Sequence, residues 1–386
     1  MVNKIHKLDD KTIKSSENNK KKILILSNHH SYTYNLRKEI IQRLINEGYM
    51  VYLVLPYGEK VELLKKMGCI FIDLPLDRRG MNPLVDLKLL RSYYRIIKEI
   101  KPDVVLTYTI KPNIYGGLAC RIVGVPQIAN VTGLGTAIHN KSIIQKILVK
   151  LYNIAFKRTY CIFFQNLANR NYFAQHSIGC KDRYRIIPGS GVNLDDHPFE
   201  EYPIDDGTIR FLYIGRIMKD KGIEELVEAA SRLKEIYNNL QFDALGSIED
   251  DYKEKAIELM RKGAVNFHGV KDNVHDYIKK SNAVILPSYH EGMANVLLEA
   301  ASSGRPVLAS NIPGCKETFD EGISGFGFEA KNVDSLVKAI IKFVELPYEE
   351  KAKMGLAGRT KMEKEFDRNI VVEEYMKVIK SILKEE

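Results

Sequence analysis

From Lys22 onward, blocks of four to six consecutive apolar residues alternate with longer stretches in which apolar positions recur every third or fourth residue. The first kind predicts buried strands and the second amphipathic helices. In the first half the pattern gives strands at Ile23–Leu26, Met50–Leu55, Ile70–Asp73 and Asp103–Thr107. Helices fall between them at Arg37–Glu47, Val61–Met67 and Asp86–Ile100. The pattern lapses between Gly191 and Gly207, where GVNLDDHPFEEYPIDDG is acidic and punctuated by Pro and Gly. It then resumes, with strands at Ile209–Ile214, Phe242–Leu245, Val265–His268 and Ala283–Leu286. The helices between them are Ile223–Tyr237, Tyr252–Arg261 and Val274–Lys280, and a last helix runs from about Asn369 to Lys384. Strands that are apolar throughout, separated by helices, predict parallel sheets covered on both faces. The expected class is α/β, with two Rossmann-like doubly wound domains at residues 21–195 and 208–368, a linker at 196–207 and a terminal helix at 369–386. Residues 1–20 are polar, lack periodicity and read as a disordered tail.

A chain of 386 residues with 45% hydrophobic and 28% charged residues fits two globular domains. It has no apolar run near the ~20 residues that span a bilayer, and no secretory h-region precedes Ile23. The expected location is therefore cytoplasmic. Five scattered cysteines (69, 120, 161, 180 and 315), with no C-x-x-C pair, suit reduced thiols better than disulfides or zinc. Charge is split along the chain: residues 1–190 carry a net +18 and the remainder −9. The first half thus expects an anionic partner: a nucleic acid, a membrane surface or a phosphorylated acceptor. No recognisable nucleic-acid motif accompanies the charge, so none is assigned as a partner.

The chemistry concentrates in Pro287–Glu317. Glu291 and Glu299 lie eight positions apart; Gly292 follows the first, and Val296, Leu297 and Leu298 precede the second. A strand ending at Leu286 and a helix starting near Ala294 put one carboxylate at the turn and the other two helical turns on. Free N–H groups at the helix start favour an anion. A nucleotide-sugar could be held this way, with its diphosphate at the helix end and its hydroxyls on carboxylates. The alternative is two solvated charges around a buried leucine pair. Gly215, Arg216, Lys221 and Gly222 follow the first strand of the second half. Arg216 can grip phosphate bidentately and Lys221 adds a compact charge, or the segment is an ordinary basic loop. No strict D-x-D occurs, so no metal site is assigned. Neutralisation of a departing diphosphate falls to Arg216, Lys221 and helix N–H groups.

These segments resemble the E-x7-E element and the G-R-(x)4-K-G clamp of the retaining GT-B glycosyltransferases of the large fourth family, with Met293 and Ala294 in place of the usual Phe and Pro. The resemblance covers nearly the whole chain from Lys22. It implies two domains facing across a cleft, an acceptor domain first and a nucleotide-sugar domain second, with the last helix crossing back to the first. It also implies donor contacts by Gly215, Arg216, Lys221, Glu291, Gly292, Met293, Ala294, Asn295, Val296, Leu297 and Glu299. Backbone N–H groups of Asn295, Val296 and Leu297 would face the diphosphate and Glu299 the ribose. Glu291 and the Gly292–Ala294 backbone would face the sugar, with the base near His268–Lys271.

In the first half, His29 and His30 follow the opening strand and read either as phosphate or acceptor contacts or as solvated loop residues. Many relatives carry a histidine in the segment matching Val104–Gly117, which here has none; Tyr108 and Lys111 are the candidates there for catalysis. Gly133-Leu134-Gly135 and His139 resemble an acceptor loop of the polysaccharide-making branch. Residues 142–160 form a basic amphipathic helix that either packs on the core or meets an anionic membrane. The reading reached is a metal-independent retaining transferase that needs no cofactor. It would move a hexose or N-acetylhexosamine from a UDP-sugar to a polyprenyl-diphosphate-linked saccharide, peripherally on the inner membrane face, in capsule, O-antigen or exopolysaccharide assembly. A nucleotide-sugar epimerase and a catalytically impaired UDP-binding protein are the alternatives.

Overall fold

The computed structural model describes residues 20–77, 80, 82–133 and 143–385. The expected tail (1–19) and the loop candidates Leu134, Gly135 and His139 lie outside the described residues.

Seven strands make the first sheet: β1 (Lys22–Leu26), β2 (Met50–Leu55), β3 (Ile70–Asp73), β4 (Val104–Tyr108), β5 (Gln127–Val131), β6 (Cys161–Phe164) and β7 (Tyr184–Ile186). Their order is β3-β2-β1-β4-β5-β6-β7, parallel from β3 to β5. Six make the second: β8 (Ile209–Ile214), β9 (Leu240–Leu245), β10 (Asn266–Phe267), β11 (Ala283–Leu286), β12 (Val307–Ser310) and β13 (Gly325–Phe328). Their order is β10-β9-β8-β11-β12-β13, and every pair is parallel. Two doubly wound parallel sheets are therefore present. Each reverses its winding between its first and fourth strands in sequence, at β1/β4 and at β8/β11. Ligands of such sheets bind beyond the carboxyl ends of the strands at that reversal.

The chain packs as two compact units. One comprises residues up to 130, 151–162 and 377 onward; the other comprises 131–150 and 163–376. In the second, Phe211, Leu212, Val284, Ile285, Leu297, Leu298 and Leu308 are among the side chains sealed inside. Arg305 is buried among them and carries no carboxylate. Its guanidinium instead donates to the carbonyls of Glu200, Glu201, Ile278, Lys279, Ser303 and Gly304, and burial lowers its pKa to about 10. That clips the acidic stretch at 200–201 onto its own unit.

Most expected boundaries agree within a few residues, and two differences have physical causes. The first helix runs His30–Asn46 and so begins seven residues before Arg37. His29, in extended conformation, caps it by accepting the Ser31 N–H at Nδ1. Its first turns bury Thr33 and Arg37 instead of aliphatic residues, so no apolar period marks them. His29 and His30 therefore sit at a helix start rather than in a free loop. The edge strand β10 pairs only through Asn266 and Phe267, shorter than the expected Val265–His268. Strands β5, β6, β7, β12 and β13 are additional to the pattern. β5 interrupts its apolar run with buried Gln127 and Asn130, and β13 alternates glycine with phenylalanine.

Candidate active site

Two segments meet at the β8/β11 reversal. After β8, Gly215 donates its N–H to the Leu245 carbonyl at 2.9 Å, and the Tyr213 hydroxyl donates to the Arg216 carbonyl at 2.8 Å. This fixes the course of the backbone at Arg216, whose Nη1 lies 2.5 Å from Glu249 Oε1. The turn Lys219–Lys221 ends at Gly222, which has φ +69° and opens the helix Ile223–Lys234. A Cβ at Gly222 would lie 2.0 Å from the Pro287 carbonyl oxygen, so only glycine lets the two loops close on each other. The Tyr289 N–H donates to the Asp220 carbonyl at 2.9 Å and continues the seam. Beside it, the Lys221 ammonium is ion-paired with Glu291, seventy residues away in sequence.

Past Glu291 the chain stays crowded. A Cβ at Gly292 would overlap the Thr132 carbonyl oxygen at 1.6 Å, and the Asn166 side-chain amide donates to the Gly292 carbonyl at 2.6 Å. The Ala294 N–H donates to the Gly314 carbonyl, and the Gly314 N–H to Glu317, so the PGCKE segment buttresses the turn. The helix Asn295–Ser302 then begins. Of the three N–H groups expected to face an anion, those of Asn295 and Leu297 bond to the Met293 and Ala294 carbonyls. The Val296 N–H makes no backbone hydrogen bond among the described residues. Free N–H density at this helix start is lower than the sequence suggests, because the turn closes on itself. Met293 and Ala294 are buried, so at these two positions only backbone is offered to a ligand.

Glu299 is half-buried and its carboxylate has no hydrogen-bond partner among the described residues. Burial pushes its pKa up to about 7. The Arg368 guanidinium opposes that shift and Asp196 adds to it. A poorly solvated carboxylate of this kind suits a pair of neighbouring hydroxyls. At the neighbouring strand end, His268 Nε2 lies 2.7 Å from Asp243 Oδ1. Among the described residues no three His, Cys, Asp or Glu side chains gather into a group that could hold a metal.

Two family models divide the chain between them: one described as glycosyl transferase 4-like over residues 22–166, the other as glycosyl transferases group 1 over 196–361. The chain is a GT-B glycosyltransferase of the fourth family. Among its relatives is the N,N'-diacetylbacillosaminyl-diphospho-undecaprenol alpha-1,3-N-acetylgalactosaminyltransferase of Campylobacter jejuni. The two are 25% identical over 94% of this chain and 99% of the relative. The capsular polysaccharide biosynthesis glycosyltransferase CapM of Staphylococcus aureus is 26% identical, covering 80% of this chain and 84% of CapM. Among solved structures, a Rickettsia africae glycosyltransferase superposes with a TM-score of 0.76 at 21% identity, covering 95% of this chain and 100% of that one. HepE of Anabaena, solved with UDP-glucose, gives 0.74 at 17%, covering 93% and 99%.

In this glycosyltransferase the first-half candidates lie at the other reversal, β1/β4. Tyr108 ends β4 and is buried, with the Arg37 guanidinium 4.5 Å above its ring. Lys111 pairs with Asp86 at 2.7 Å, both side chains largely buried, and Asp86 also accepts the Tyr115 hydroxyl at 2.8 Å. His30 is held near Gly58 and Lys60, and burial lowers its pKa. Two further residues there carry no sequence signal. Thr109 adopts φ +72°, a strained conformation for a β-branched residue, and its buried hydroxyl has no partner among the described residues. The buried Asn28 Oδ1 is likewise unsatisfied.

Proposed function

We propose that the protein is a retaining, metal-independent glycosyltransferase that moves a hexose or N-acetylhexosamine from a UDP-sugar to a polyprenyl-diphosphate-linked saccharide. The observation that carries the reading is the Lys221–Glu291 pair, which joins the phosphate clamp to the sugar-facing turn at a sheet reversal. In the proposed site Arg216 and Lys221 neutralise the diphosphate, with the backbone around Gly215 and the Asn295–Leu297 turn beside it. Glu299 takes the ribose hydroxyls. Glu291, Gly292, Met293 and Ala294 face the sugar, and Tyr108 and Lys111 serve from the acceptor domain.

The donor's C1–O bond breaks as the acceptor oxygen bonds to C1 on the same face. The departing phosphate oxygen takes the acceptor's proton, so positioning and charge stabilisation supply the catalysis. The lipid-linked acceptor is supported by the names of the relatives and by the helix Ile143–Phe156. That helix exposes Ile144, Ile147 and Ile154 beside exposed Lys146 and Lys150, with exposed Lys157 and Arg158 just beyond it. Such a surface fits the anionic inner leaflet. Among the described residues no helix is long and apolar enough to cross a membrane.

The test is a panel of UDP- and GDP-sugars screened for protection against thermal unfolding. Transfer to a polyprenyl-diphosphate saccharide follows, with and without chelator, and the product anomer is read by NMR. The expected result is protection by a UDP-sugar and chelator-resistant transfer with the donor's anomeric configuration. Interconversion of the donor without acceptor would mark an epimerase, and binding without turnover an impaired enzyme. Either would overturn the proposal.

A further inference from the structure

The first unit carries a concave site away from its own sheet reversal. A pocket of about 210 Å³ opens where Val125, Pro126 and Gln127 lead into β5, at the amino ends of the parallel strands. Ligands of a doubly wound sheet bind at the opposite, carboxyl ends, so the reaction described above makes no use of this place. The volume lies below the range of drug-sized ligands and suits a small ion or a headgroup.

Its charge is one-sided. Arg121, in the last turn of the helix Gly117–Val123, and Arg158, just beyond the helix Ile143–Phe156, both line it, and no Asp or Glu does. Neither arginine has a carboxylate partner among the described residues. Arg121 gives one N–H, from Nη1, to the Ile154 carbonyl at 2.9 Å, and Arg158 is exposed. A guanidinium has five N–H donors in a planar fork, so most of this donor capacity is unspent. The neutral polar groups of the floor are spent on each other. Thr159 Oγ1 donates to Gln127 Oε1 at 2.7 Å, and Gln127 Nε2 donates to Thr107 Oγ1 at 2.8 Å, all three residues being buried. Next in sequence to the lining residues Arg121 and Ala155, Ile122 and Ile154 are 63% and 40% exposed. Two forked cations at a small concavity, with apolar side chains beside them, match an oxyanion carried on a less polar group. Phosphate esters are the class that such forks grip bidentately. The pocket also gives a place to part of the positive charge excess of the first half. A cation near a helix C-terminus is favoured by the helix dipole alone, a reading that predicts no ligand.

We propose that this pocket is a phosphate-ester site in which Arg121 and Arg158 clamp the anion. The phosphate belongs either to an anionic phospholipid headgroup or to a soluble ester; both present the same chemistry. The inference stands apart from the donor-site reading.

The experiment measures sedimentation of the full chain with equimolar phosphatidylcholine–phosphatidylglycerol vesicles, and titration calorimetry with glycerol 3-phosphate. Wild type is compared with Arg158→Gln, with Arg121→Gln/Arg158→Gln and with the charge-matched Lys65→Gln/Lys66→Gln, whose lysines are exposed on the helix Val61–Lys66. Arg158→Gln keeps the Arg121 contact to Ile154, so it tests the site even where the double variant fails to fold. A lipid source predicts vesicle affinity down about tenfold in the double variant and severalfold in Arg158→Gln, with the lysine variant unchanged. A soluble source predicts the same losses for glycerol 3-phosphate, with vesicle binding unchanged. Either pattern supports the site. Absence of binding by wild type to both probes, or of any effect of the arginine variants, overturns it. An equal loss in the lysine variant also overturns it, because it marks diffuse attraction to a positive surface. UDP affinity should stay at the wild-type value throughout, so failure of the donor reading and failure of this one register in different assays.

Discussion

The two sheet reversals of this chain have one topology and unlike chemistry. At β8/β11 the charges pair between segments, Lys221 with Glu291 over a glycine seam and Arg216 with Glu249, and Glu299 has no hydrogen-bond partner among the described residues. At β1/β4 the charges are consumed internally. Lys111 is locked to Asp86, which Tyr115 also holds, and Tyr108 lies beneath Arg37. Among the described residues the buried groups left unsatisfied at Thr109 and Asn28 are neutral, and Thr109 is also strained. The same winding thus carries paired charges at both ends, with a further half-buried carboxylate, Glu299, beside the second. Function resides in what is mounted on the fold and not in the fold itself.

Four measurements would break or sharpen this contrast. Lys221→Ala should lower UDP-sugar affinity on the order of a hundredfold, because it removes a charge-assisted contact and strands Glu291. Calorimetry reads this, and unchanged affinity would dissolve the distinction between the two ends. Lys111→Met should leave UDP affinity intact while costing about 2 kcal/mol of stability in urea unfolding, since Asp86 loses its cation in a largely buried setting. A drop in affinity would instead put Lys111 at the donor.

Glu299→Gln should change how stability depends on pH. The folded pKa of Glu299, about 7, lies above its ordinary 4.5, so the folded state holds the proton more tightly. Its favourable contribution is complete below pH 4.5 and is lost as pH rises through 7. The glutamine variant should therefore match wild type near pH 4.5 and exceed it by roughly 1–2 kcal/mol above pH 7. Parallel curves would show an ordinary carboxylate. The smallest effect is expected from Thr109→Gly, which relieves the positive φ and should raise stability by about 0.5–1 kcal/mol. A loss would mean that the hydroxyl has a role in folding.

The sequence displays the second end far better than the first, for physical reasons. Strands β8 and β11 are largely apolar, and the site candidates that follow them are charged side chains or glycines, so Gly215, Arg216, Lys221, Gly222 and Glu291 can be read in order. The pairing of Lys221 with Glu291 is visible only once β8 and β11 lie side by side. The occupied N–H groups of Asn295 and Leu297 are equally hidden, because a turn that bonds to itself leaves no trace in residue type. At the first end, Lys111 looks like a free cation until Asp86, twenty-five residues earlier, is folded against it. The strain at Thr109 is a backbone property of a residue that ordinarily sits well in strands. The helix Leu167–Gln175 follows the short strand β6, and its apolar residues keep no helical period, so the pattern does not single it out.

Asn166 shows how much can hang on one choice of residue. Serine, threonine and aspartate also stop a chain and start a helix, but aspartate has no hydrogen to give and the hydroxyls are shorter. A carboxamide reaches both ways at once, steadying its own helix with the oxygen and gripping the carbonyl after Glu291 with the nitrogen. Any force that tilts this helix is therefore transmitted through a single planar group to the acidic turn.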